Sequence, residues 1–223
     1  MKLFRVDKDQ PFEGPHQGGR IYEEGAPLSR AKAAMIMVHG RGATAQGILQ
    51  LAPEFAQPDF YYAAPQAAQN TWYPWSFLEP RKKNEPGISS GLQALYDIMQ
   101  SIISEGIPPE KIMLLGFSQG ACLAGEFVAR HPRRLGGLIM LSGGLIGPSV
   151  FPESYDGSLE DTPVFIGCSD VDSHVPLSRI EETAAVMEQL DGDVLKKIYP
   201  GMGHQINEDE VKIIRGMIAK ILQ

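Results

Sequence analysis

Ser118 stands in Gly116-Phe117-Ser118-Gln119-Gly120, a G-x-S-x-G pentapeptide between an apolar run and an amphipathic one. That junction reads as a strand turning sharply into a helix, and so tight a turn needs small residues flanking the serine. The turn lifts the hydroxyl over the sheet. The helix that starts at Gln119 adds a backbone N–H and the positive end of its dipole. The chemistry expected is attack by the serine oxygen on an acyl carbon.

A serine hydroxyl is a poor nucleophile without a base in hydrogen-bond reach. Of the five histidines, His204 is best placed, in Pro200-Gly201-Met202-Gly203-His204 after the last apolar strand run. His174 competes, two residues before Pro176 at a helix entry. His131 precedes Pro132 and reads as a helix cap. His16 lies in a Gly/Pro-rich stretch, and His39 reads as a brace for its own loop. The base in turn needs an acid to hold its tautomer. Asp170 and Asp172 both follow the apolar run 164–167, and position alone does not separate them. The order Ser, Asp, His is the chain order of α/β-hydrolases.

Acyl transfer also needs donors for a developing oxyanion. His39-Gly40-Arg41-Gly42-Ala43 follows the run 33–38, and its glycines let backbone N–H groups face a ligand. The N–H groups of Arg41 and Gln119 are the candidate pair. Neither a P-loop nor a dinucleotide fingerprint is present. Between residues 64 and 87, Trp72, Tyr73, Pro74, Trp75 and Phe77 cluster in one loop. Trp72, Trp75 and Phe77 are the candidates for an apolar wall that receives an acyl or aryl group.

These groups need a scaffold. Apolar runs at 33–38, 60–63, 112–117, 138–141, 164–167 and 193–199 read as strands. Helical patterns fall at 46–56, 88–105, 119–131, 176–190 and 208–222. Strands apolar on both faces, alternating with helices, predict a mostly parallel sheet covered on both sides. Such sheets carry their sites at the carboxyl ends of strands, where all the residues above lie. Only about 20 residues separate 141 from 163, too few for a helical cap, so an open site is expected. A single domain over 1–223 is expected, with 1–32 forming N-terminal strands and loops that lead into the core.

Composition narrows the function further. The net charge of −7 argues against nucleic acid or an anionic membrane surface as the partner. Charges interrupt residues 1–8 too early for a signal peptide. The uncharged run 135–152 holds five glycines and two prolines and cannot span a bilayer as a helix. Cys122 and Cys168 suit a reducing cytoplasm, read as buried and inert. No metal or organic cofactor is implied.

The chain resembles the phospholipase/carboxylesterase family of α/β-hydrolases, which includes bacterial carboxylesterases and acyl-protein thioesterases. The resemblance rests on His39-Gly40-Arg41-Gly42, Gly116-Phe117-Ser118-Gln119-Gly120-Ala121, Asp172-Ser173-His174-Val175-Pro176 and Gly201-Met202-Gly203-His204. It runs from about Ala33 to near the end of the chain. It implies an α/β-hydrolase fold without a large cap and a Ser118/His204/Asp172 triad with Arg41 and Gln119 as backbone donors. It also favours Trp72 as the aromatic nearest the site. Two departures stand out: Ser169-Asp170 where Gly-Asp is usual, and Ser173 where a proline usually follows the aspartate. Family members acting on acylated proteins usually carry a non-basic residue at the Arg41 position. The function expected is a cytoplasmic serine carboxylesterase acting on small-molecule esters, with oligomeric state open and a homodimer among the options. The alternatives are a thioesterase or lysophospholipase with the same machinery, or a non-catalytic relative that binds a small molecule.

Overall fold

A computed structural model describes residues 13–55 and 57–223. The reading of residues 1–8 therefore lies outside the described residues. The strands are β1 (Ile21–Gly25), β2 (Ala33–Val38), β3 (Phe60–Pro65), β4 (Ile112–Phe117), β5 (Gly137–Leu141), β6 (Pro163–Ser169) and β7 (Asp193–Tyr199). They form one sheet ordered β1-β3-β2-β4-β5-β6-β7. Every pairing is parallel except that of β1 with β3. The helices are α1 (Ala45–Leu49), α2 (Ala52–Phe55), α3 (Gly87–Ser104), α4 (Gln119–Arg130), α5 (Leu177–Gln189) and α6 (Glu208–Ile221). No helix among the described residues is long and apolar enough to cross a membrane.

Successive side chains of a strand face opposite ways, and the core divides accordingly. Ala34, Ile36 and Val38 of β2 join Leu114, Leu138 and Met140 under α3, α4 and α5. Ala33, Met35 and Met37 join Met113, Leu115 and Ile139 against α1, α2 and α6. Both faces of the central strands are thus buried, which is why they read as unbroken apolar runs. The segment between β5 and β6 holds only a short 3-10 turn at Pro152–Ser154, and no cap is built there.

One expectation needs correction and another gains a location. The helix expected over 46–56 is two helices, α1 and α2. Pro53 has no N–H to continue a ladder from α1, but it is tolerated in the first turn of a new helix. α1 is instead capped by Thr44, whose Oγ1 accepts the Gly47 N–H at 3.0 Å. The edge strand β1 falls within the strands and loops expected over 1–32, where the sequence pattern locates no strand.

α6 opens with a capping box. Asn207 Oδ1 accepts the Glu210 N–H and Glu210 Oε2 accepts the Asn207 N–H, both at 2.9 Å. Glu210 is fully buried. It packs so closely on Gly167 of β6 that a Cβ there would overlap Oε1. That oxygen has no hydrogen-bond partner among the described residues. Burial pushes the carboxyl up to about 7; the Asn207 N–H opposes this and Asp209 adds to it. A pKa above the unfolded value means the group's stabilising contribution is present in acid, then lost as pH rises from about 4.3 towards about 7. Glu210→Gln keeps the shape and the cap without the charge. Its melting temperature should exceed the parent's by several °C near pH 8, with a much smaller gap near pH 5. Thermal scans at both pH values check this, and a gap that does not widen with pH refutes it.

Candidate active site

The loops after β2, β4, β6 and β7 meet at one edge of the sheet, and each brings one part of the site. At the end of β4, Ser118 adopts φ 55° and ψ −122°, a left-handed region that non-glycine residues seldom enter. Its N–H donates to Leu141 O at 2.9 Å and its carbonyl accepts the Cys122 N–H at 3.1 Å, so the strained turn is held from both sides. The flanking glycines are required by close approach. A Cβ on Gly116 would run into the carbonyl of Gly120, and one on Gly120 into the carbonyl of Val38 on β2.

Ser118 Oγ lies 2.9 Å from His204 Nε2, and His204 Nδ1 lies 2.7 Å from Asp172 Oδ2. Asp172 accepts the Nδ1–H, which leaves Nε2 to accept the serine proton. The Asp172 side chain is wholly buried. Its other oxygen accepts the N–H groups of His174 at 2.8 Å and Val175 at 3.1 Å. Burial pushes this carboxyl up, but His204 and the two N–H groups outweigh it and hold the group below the ordinary value. Asp170 does other work: its Oδ1 accepts the Gly201 N–H at 2.8 Å. Ser169 Oγ accepts the Gly203 N–H at 3.0 Å, so this residue ties the β6 loop to the loop carrying His204.

Arg41 and Gln119 both border the cleft at Ser118. A Cβ on the intervening Gly40 would meet Ser118 Cβ at 3.2 Å, so the two loops are in near contact. The Gln119 N–H belongs to the first turn of α4, where no intrahelical acceptor exists. Among the described residues the Arg41 N–H also has no protein acceptor. The Gln119 side chain has a separate task. Its Oε1 accepts the Trp72 N–H at 2.9 Å and its Nε2 donates to Tyr73 O at 2.8 Å, fixing the aromatic segment to the elbow. His39 braces its loop as expected: its Nε2 accepts the Ala67 N–H at 3.1 Å and its Nδ1–H donates to Gly40 O at 2.8 Å.

The cleft encloses about 550 Å³. Its wall is anchored through Glu126, a fully buried residue of α4. Arg81 and Arg130 both donate to Glu126 Oε1. Its Oε2 accepts the Ile146 N–H at 3.1 Å and the Tyr155 O–H at 3.3 Å. The Gly147 N–H then donates to Phe77 O at 2.8 Å.

A family model described as Phospholipase/Carboxylesterase matches residues 24–222. The chain belongs to that family. It is accordingly a hydrolase of the α/β-hydrolase fold. Acyl-protein thioesterase 1 of Kluyveromyces lactis is 31% identical over 217 residues, 86% of this chain and 93% of that protein. The Saccharomyces cerevisiae protein of the same name is 28% identical over 219 residues, 88% of this chain and 96% of its own length. A crystal structure of a phospholipase/carboxylesterase from Dyadobacter fermentans matches with TM-score 0.87 at 39% identity, covering 92% of this chain and 97% of that one.

Within this member of the phospholipase/carboxylesterase family, one expected site residue is displaced. Trp72 does not border the cleft. It is 1% exposed, and its Nε1–H donates to the His39 carbonyl at 2.9 Å. It lies against His16 on one side and His39 on another, so it supports the loop before Arg41 from beneath. Trp75 and Phe77 do border the cleft, as does Tyr73. Phe117, which the sequence reading did not single out, borders the cleft, as does His174, which it named only as a competing base. The His174 ring stands edge-on to His204 with centroids 4.7 Å apart, and the Phe117 ring lies 5.1 Å from it. Phe117 could have been found from its place beside the serine. His174 comes close only through the curl of its loop. Both cysteines are buried and free. Burial pushes the Cys122 thiol up to about 11 and that of Cys168, which also faces Asp172, up to about 12.

Proposed function

We propose that the chain is a serine carboxylesterase that hydrolyses small-to-medium carboxylic esters through an acyl-enzyme. The observation that carries this reading is the continuous hydrogen-bonded line Ser118 Oγ, His204, Asp172 at the end of the parallel strands. In the first half-reaction Ser118 Oγ bonds to the ester carbon while His204 Nε2 takes its proton. The Arg41 and Gln119 N–H groups receive the negative oxygen. The carbonyl reforms, the acyl–oxygen bond breaks, and the alcohol leaves with the proton from His204. A water then repeats the sequence on the acyl-serine and releases the acid. Asp172 holds His204 in the required tautomer and stabilises the imidazolium. A cytoplasmic setting goes with this reading, supported by two free, buried thiols.

A thioesterase reading shares every step, and the yeast relatives named acyl-protein thioesterase favour it. Chain length separates the two. The wall is short, Trp75 is 59% exposed, and no cap covers it among the described residues. In a panel of acetyl to palmitoyl esters of one alcohol, kcat/KM should peak at short or medium chains. A maximum at palmitoyl would favour the thioesterase or lysophospholipase reading. No hydrolysis of any member would overturn the esterase reading.

A further inference from the structure

We propose that the cleft selects esters bearing an anionic group, such as half-esters of dicarboxylic acids, and that the Arg41 guanidinium reads that charge. The proposal rests on the esterase reading above and names its substrate class. Arg41 is the one residue of permanent charge among the described residues that border the cleft. No carboxylate offsets it. Arg41, like Arg20, Arg30, Arg133 and Arg134, has no ion pair among the described residues, and of these five it alone borders the cleft.

The Arg41 side chain is nevertheless held in place. Nη1 donates to Pro74 O at 2.5 Å and Nη2 donates to Trp75 O. The guanidinium carbon lies 5.9 Å from the centre of the Tyr73 ring. Carbonyl oxygens and an aromatic face orient a guanidinium without neutralising it. A guanidinium has five N–H donors, and these contacts use two, leaving three to meet a carboxylate. The one carboxylate near the reacting atoms, Asp172, is buried and has both oxygens occupied by His204, His174 and Val175. Tyr73 and Cys122 stay uncharged, because burial raises both. On a chain of net charge −7, the cleft is therefore a local positive site. The guanidinium is held on Pro74 and Trp75, which border the same cleft as Ser118, so an anion on the substrate and the reacting carbon fall within one small molecule's reach.

The test compares matched esters. One pair varies the acyl side, para-nitrophenyl hydrogen adipate against para-nitrophenyl hexanoate. The other varies the alcohol side, the acetyl ester of para-hydroxybenzoate against that of its methyl ester. In at least one pair, kcat/KM for the anionic member should exceed the neutral member by about tenfold at low ionic strength, and added salt should shrink that ratio. Arg41→Met should bring the ratio close to one, and Arg41→Lys should retain part of it. Loosening of the Pro74–Trp75 segment lowers both members of a pair together, so the ratio isolates the charge. A ratio near one in both pairs, or one that survives Arg41→Met, overturns the proposal and leaves the esterase reading standing. Failure to cleave any of the four esters overturns both.

Discussion

Replacing Ser118 by alanine is expected to lower ester hydrolysis by about 10⁴- to 10⁶-fold, with the melting temperature close to the parent's. The variant removes one oxygen whose protein contact is His204 Nε2. The backbone restraints on the turn, the Ser118 N–H to Leu141 O and the Cys122 N–H to Ser118 O, do not involve the side chain. Alanine meets the same strain at φ 55° as serine does, so the elbow remains formed. A fluorophosphonate probe supplies an independent readout, because phosphonylation requires an activated hydroxyl. The parent should label at Ser118 and the variant should not. A purified variant keeping more than a few per cent of the parent rate would place the nucleophile elsewhere.

The second large effect is expected from Asp172→Asn, a loss of up to about 10⁴ in kcat with the fold retained. The geometry says why an isosteric change should do so much. Oδ1 of Asp172 accepts two backbone N–H groups, from His174 and Val175. In asparagine the carbonyl oxygen must keep that position, and the amide NH₂ then faces His204 Nδ1. Nδ1 has to become the acceptor, the ring proton moves to Nε2, and Nε2 points a donor at the serine in place of a lone pair. Asp170→Asn is the control. Asp170 accepts only the Gly201 N–H among the contacts above, so its replacement should cost stability more than rate. Circular dichroism and kcat for the pair decide the matter: a large rate loss in Asp170→Asn with a small one in Asp172→Asn would exchange the roles.

How much of this was legible in the residues depends on where each signal came from. Strands β2 and β4 to β6 are buried on both faces, so each left a continuous apolar run, and Ile112–Phe117 was read to its exact bounds. β1 lies at the sheet edge with a mostly exposed Ile-Tyr-Glu-Glu-Gly, and partnering by β3 makes it a strand, not any pattern of its own. Ser118 and His204 stood out because they sit in loops after strands. The aromatic wall was harder. Trp72 and Trp75 are three residues apart in one loop, yet the first is core and the second is open to solvent. The difference is set by the distant Gln119 side chain and His39 carbonyl, which draw Trp72 inward. His174 beside His204 is likewise a through-space fact.

Glu126 has a consequence for how sequences like this one can diverge. Its one buried carboxylate serves two guanidiniums, a backbone N–H and a tyrosine O–H. Removing the carboxylate at position 126 strands Arg81 and Arg130 together, and a largely buried charge left without its partner costs several kcal/mol. Losing one arginine leaves the other to hold the carboxylate, so a change that begins at Arg81 or Arg130 costs less than one that begins at position 126. Trp75 carries no such debt, since its side chain faces solvent at the cleft rim. New substrate ranges should therefore arise by drift at the rim, while position 126 stays fixed from ancestor to descendant.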